Sequence, residues 1–120
     1  MSSTFTRPGL TVRWSLVGAP EGVEKELADY VAGTSHARFT GMDGLRFKTW
    51  RMRQGEWFEG CYVFATDETR RTFQESFTAT AAEPMICEPG DSAPVLIEPC
   101  TVVAVAEGAE GFAAAASYAG

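Results

Sequence analysis

At 120 residues, 45% apolar and 22% charged, the chain has the size and balance of one globular domain. That length buries a core without disulfide or metal support, which excludes the disordered and disulfide-stapled classes. Sixteen acidic against ten basic residues give a net charge of −6, so a phosphate backbone repels the chain unless its basic residues cluster. No apolar run is long enough to span a membrane, and the first six residues carry no apolar stretch of a secretory signal. Cys61, Cys87 and Cys100 leave one thiol over in any pairing scheme and none stands in C-x-x-C spacing, so reduced thiols in a cytoplasmic protein are expected and a zinc site is not. One histidine cannot build a multi-His metal site, so no metal is expected.

In chain order, Leu10 to Val17 alternates as a first strand, with Leu10, Val12, Trp14 and Leu16 sharing one face. Pro20 suits the first turn of a helix, and Glu21 and Glu24 suit its positive end. Val23, Leu27, Tyr30 and Val31 mark that helix's buried face, and Gly33 is the expected stop. Thr34 to Asp43 then reads as a loop or a frayed extension of that helix.

Leu45 to Arg53 is predicted as the second strand and Glu56 to Ala65 as the third, joined by a two-residue turn at Gln54-Gly55. Such a turn sets the register. Met52 then faces Trp57, Trp50 faces Glu59, Lys48 faces Cys61 and Phe47 faces Tyr62. One sheet face carries Phe47, Phe58, Tyr62 and Phe64, the side on which helices pack. The other carries Lys48, Trp50, Met52, Trp57, Glu59 and Val63, with Lys48 diagonal to Glu59.

Thr66 is an N-cap, and Asp67 and Glu68 fill an acidic first turn. Phe73 and Phe77, spaced i, i+4, mark the buried stripe of a helix that runs to Glu83 and ends at Pro84. Met85 to Pro94 is a loop, and Val95 to Ala106 the last strand, with Pro99 at a bulge or an edge. One domain therefore covers residues 1–107. Residues 108–120 form a tail, either a short helix or disordered.

The order is βαββαβ. Right-handed crossovers give an α+β, ferredoxin-like domain: a four-stranded antiparallel sheet with two helices on one face. The other face is left open and carries Trp50, Trp57, Met52 and Val63. A second copy packed sheet to sheet is its simplest partner. Arg13, opposite in parity to Trp14, falls on that open face.

Gly44-Leu45-Arg46-Phe47-Lys48-Thr49-Trp50, then Gly60-Cys61-Tyr62-Val63-Phe64, then Thr66-Asp67-Glu68, resembles the YdhR-like mono-oxygenase family of the dimeric α+β barrel superfamily. The likeness covers about residues 10 to 107. The family often has Pro-Gly where this chain has Asp43-Gly44, and the loop from Thr34 to Asp43 looks longer. The resemblance implies a homodimer through the open sheet faces and a pocket in each subunit between helices and sheet. It also implies cofactor-independent oxidation by O2 of a small aromatic or polyketide-like molecule. A non-catalytic binding dimer and a haem-dependent member of the same superfamily are the alternatives.

Three residues are catalytic candidates. The Tyr62 hydroxyl can orient a phenolic substrate or donate a proton. Lys48 can stabilise an enolate or phenolate by charge. His36, the one imidazole, can act as a general base or as a lone axial haem ligand. Arg38 beside it can bind a carboxylate. Trp14, Phe47, Trp50, Phe64, Phe73 and Phe77 are the candidate substrate-binding walls, and plain core packing is the competing reading for each. RNA binding is a weaker class. Glu59-Gly60-Cys61-Tyr62-Val63-Phe64 echoes a third-strand RNA-reading motif, but with Glu where a basic residue belongs and with Tyr62 and Phe64 turned toward the helices.

Overall fold

The computed structural model of the chain describes residues 8–80 and 93–111. Its elements are β1 (Pro8–Ser15), α1 (Val23–Tyr30), a π-helical segment (Val31–Ser35), α2 (His36–Phe39), β2 (Leu45–Arg53), β3 (Trp57–Phe64), α3 (Asp67–Thr80) and β4 (Leu96–Thr101). The four strands lie in the order β2-β3-β1-β4, every neighbouring pair antiparallel. This is the ferredoxin-like βαββαβ arrangement. The expected end of α3 at Glu83, the loop from Met85, Cys87 and the tail from residue 112 lie outside the described residues.

The core sits between one sheet face and the helices. Leu10, Val12, Trp14 and Leu16 supply it from β1 and its extension, Phe58, Tyr62 and Phe64 from β3, and Val23, Leu27, Val31 and Phe39 from the helical run. The first strand begins two residues earlier than expected and stops at Ser15. Val17 is exposed, and Gly18 turns the chain with φ +80°. β4 stops at Thr101, short of Ala106, where its ladder reaches Pro8, a residue with no N–H to offer. Pro99 does stand on an edge strand.

Gly33 does not stop the first helix. The chain stays helical from Val23 to Phe39, the middle of it as a π turn, and ends at Gly41 with φ +78°. Of the two readings of the segment from Thr34, the helical extension holds as far as Phe39, and the loop is residues 40–44. The reason lies in the spacing of the buried positions: Val23, Leu27, Val31, Ser35 and Phe39 recur every four residues. On an α-helix a four-residue step drifts by about 40°, whereas a π turn winds more slowly and keeps the stripe on the sheet.

The β2–β3 register differs by one residue from the expected one. The turn holds three residues, Gln54 to Glu56, closed by the Glu56 N–H donating to the Arg53 carbonyl at 2.9 Å, with Gly55 at φ +77°. Arg53 therefore pairs with Trp57, Met52 with Phe58, Trp50 with Gly60 and Lys48 with Tyr62. A bulge at Arg46 restores Leu45 opposite Phe64. A slip of one residue moves every β2 side chain between the turn and the bulge to the other face. Trp50 and Met52 pack against the helix-side core, and Phe47 takes its place opposite Val63 on the open face.

Candidate functional site

The slip matters most for Lys48. It puts the side chain under α2, where the Nζ atom lies 3.7 Å from the ring centroid of Phe39, 4.3 Å from that of Tyr62 and 4.5 Å from that of Trp50. Among the described residues no carboxylate pairs with it. The expected partner, Glu59, points to the other face and pairs instead with Arg13 at 2.8 Å and with Arg51. Burial lowers the Lys48 pKa to about 6, assisted by the nearby Arg38 guanidinium. At neutral pH the amine is mostly free base.

Each wall of this box has a local cause. Phe39 and Tyr62 are buried and meet edge to face, their centroids 5.7 Å apart. Trp50 is held by its indole N–H, which donates to the Ser35 hydroxyl at 3.2 Å. Ser35 is the last residue of the π segment, buried although polar. Its bond to Trp50 explains that burial. Gly60, opposite Trp50, leaves space that the box needs. A Cβ there would stand 3.0 Å from Lys48 Cε and 3.3 Å from the Tyr62 ring. Gly60 and Ser35 were not among the candidates. Only Gly60 had a signal in the sequence, as a glycine interrupting a strand of aromatics.

The catalytic candidates come together in part. Burial pushes the Tyr62 hydroxyl well above its ordinary range, so it stays protonated. His36 opens α2, half-buried, its ring 5.9 Å from that of Trp50, rather than on the expected loop. It stands beside Trp50 at the edge of the box.

The aromatic walls divide the same way. Phe64 and Phe73 pack on Tyr62 at 5.8 and 5.0 Å, and Trp14 meets Phe77 at 6.0 Å, all on the helix side of the sheet. Phe47 is the exception. It lies on the open face and cannot line a site between helices and sheet, because the three-residue turn reverses its parity. Arg38 stacks over Phe39 at 5.1 Å and is exposed.

The open face has its own feature. Glu59 is 1% exposed, covered by Arg13, Arg51 and the Trp57 ring, over which Arg13 lies at 4.3 Å. Burial alone would raise the Glu59 carboxyl. Hydrogen bonds from Arg51, Arg13 and the Cys61 thiol outweigh it and hold the group below its ordinary value. Arg13 thus serves an ion pair within the chain. Among the described residues no group of three or more His, Cys, Asp or Glu side chains is placed to hold a metal, and no helix is long and apolar enough to cross a membrane.

No protein-family model matches the chain, and no curated protein matches it in sequence. Among solved structures it is similar to the NE2512 protein of unknown function from Nitrosomonas europaea, with a TM-score of 0.60 over 88% of this chain and 98% of that one. At 22% sequence identity the likeness speaks for a shared fold alone.

Proposed function

We propose that the chain is a cofactor-independent mono-oxygenase of a small aromatic carbon acid, with Lys48 as its base. The observation that supports this is the amine itself, poised near pKa 6 among three aromatic faces without a carboxylate partner among the described residues. A base with that pKa is unprotonated at neutral pH and can take a proton from an activated C–H. The ammonium it becomes then faces the enolate by charge, and the protonated Tyr62 hydroxyl is a donor for the same oxygen. The carbanion reduces O2. The substrate CH2 becomes C=O, and the second oxygen atom leaves with two protons as water. In this reading the protein is a cytoplasmic homodimer joined through its open sheet faces.

A second reading, a binding dimer without turnover, draws on the packing. Phe39, Tyr62, Phe64, Phe73 and Phe77 already stack on one another at 5.0–6.0 Å. An oxygen electrode separates the two. With a hydroxylated polycyclic ketone as substrate, wild type is expected to consume O2 with a pH limb near 6. Lys48→Gln should lower the rate on the order of 100-fold or more, the usual scale of a general base. Tyr62→Phe and His36→Ala should lower it less, and Lys25→Ala, at an exposed position of α1, should leave it unchanged. O2 uptake that persists in Lys48→Gln would remove Lys48 from the mechanism. Tight binding of the ketone without O2 uptake would favour the second reading.

A further inference from the structure

We propose that Lys48 is a carbonyl-capturing amine, taking aryl aldehydes and ketones as an imine inside its aromatic box. The inference rests on the same site as the proposed base but not on O2 chemistry. Its ground is geometric. A lysine under three ring faces, with no carboxylate among the described residues to hold its proton, presents a lone pair next to surfaces that stack an aryl group. Lys48 as a residue is half-buried, and its amine is shielded by the three rings around it. Gly60 keeps the methylene stem clear of the sheet, since a Cβ there would stand 3.0 Å from Lys48 Cε. The lowered pKa of the amine agrees with this role.

The step balances without an oxidant or reductant. The Lys48 lone pair forms a C–N bond to the carbonyl carbon, and the π electrons of the C=O move to oxygen. One amine proton passes to that oxygen, giving a carbinolamine. The hydroxyl then leaves as water with the second amine proton, and C=N forms. Phe39, Trp50 and Tyr62 flank the aryl ring.

The chain supplies its own reference, because it holds only two lysines, Lys25 and Lys48. Lys25 is exposed and ion-paired with Asp29 at 2.9 Å. The full chain is incubated at pH 7 under nitrogen with 4-hydroxybenzaldehyde and cyanoborohydride, which traps an imine as a stable secondary amine. Peptide mass mapping then reads each site. The expected result is modification of Lys48 at least roughly tenfold faster than Lys25, as a free amine against a protonated one. It should persist down to about pH 6. Equal rates, or Lys25 first, would overturn the proposal. So would modification of Lys48 only in urea, the mark of a core lysine out of reach. These readings need no variant and no oxygen, so failure of the mono-oxygenase reading leaves them intact. Conversely, a base that never forms an imine would fail here while still supporting O2 uptake.

Discussion

Lys48 sets two forces against each other. Ring faces favour the ammonium, while loss of hydration favours the neutral amine. With the folded-state pKa near 6 and an ordinary lysine near 10.4, the unfolded chain binds more protons throughout that window. Stability should therefore rise with pH from about 6 and level off as pH passes about 10. Lys48→Met removes this dependence. It should be more stable than wild type by about 1–3 kcal/mol at pH 6, as buried polar groups replaced by apolar ones of similar volume often are. Urea melts of both proteins at pH 6, 8 and 9.5 check this, and parallel curves would mean that Lys48 is hydrated in the folded state. Glu59 has the opposite sign. Its carboxyl is held low, so its contribution is present at neutral pH and is lost as acid protonates it.

Two elements position that residue, and both depart from regular geometry. The hairpin turn takes a third residue, and Gly55 adopts the left-handed backbone that this turn requires. A Cβ at Gly55 would meet nothing within 4 Å, so Gly55→Ala tests the backbone alone. It should cost about 1–2 kcal/mol, the price of left-handed backbone in a residue with a side chain. A thermal melt reads that loss, while the fluorescence of the three tryptophans should keep its wild-type spectrum. A null effect would mean that the turn relaxes to another type. The π segment does the corresponding work on the helical side. It carries the buried stripe on to Phe39 and brings Ser35 to the Trp50 indole. An unbroken α-helix would turn that stripe away from the sheet.

At the scale of the molecule, the two sheet faces differ. The helix side holds the aromatic core. The open side holds an ion cluster, Arg13–Glu59–Arg51, capped by Trp57, with Phe47 and the buried Val63 beside it. Half-buried Phe47 beside a satisfied ion cluster is what this face would offer the proposed homodimer. Wild type should then sediment at twice its 13.0 kDa mass. Thr49 is exposed on this face, opposite Cys61, so Thr49→Glu adds a carboxylate to each copy's side of the proposed interface. That variant should sediment as a monomer with its circular dichroism spectrum unchanged. A wild-type monomer at micromolar concentration would leave the face to another partner.

Much of the fold was legible in the residues. Alternation marked the strands, Thr66 capped α3 as read, its hydroxyl accepting the Thr69 N–H at 3.1 Å, and Phe73 and Phe77 faced the core. Right-handed crossovers then left one topology. The faces of β2 were not legible, because both parities of that strand are apolar: Leu45 and Phe47 on one, Trp50 and Met52 on the other. Alternation cannot choose between two such sets. Turn length and the bulge at Arg46 choose, and both answer to packing across the sheet. Ser35 hid the length of the first helix for a related reason, since a serine marks a buried stripe only once Trp50 is known to meet it. Local pattern determined which residues form strands and helices and how they connect. Tertiary packing alone decided that Lys48 lies among aromatic rings and not beside a carboxylate, because a one-residue shift in register separates those two environments.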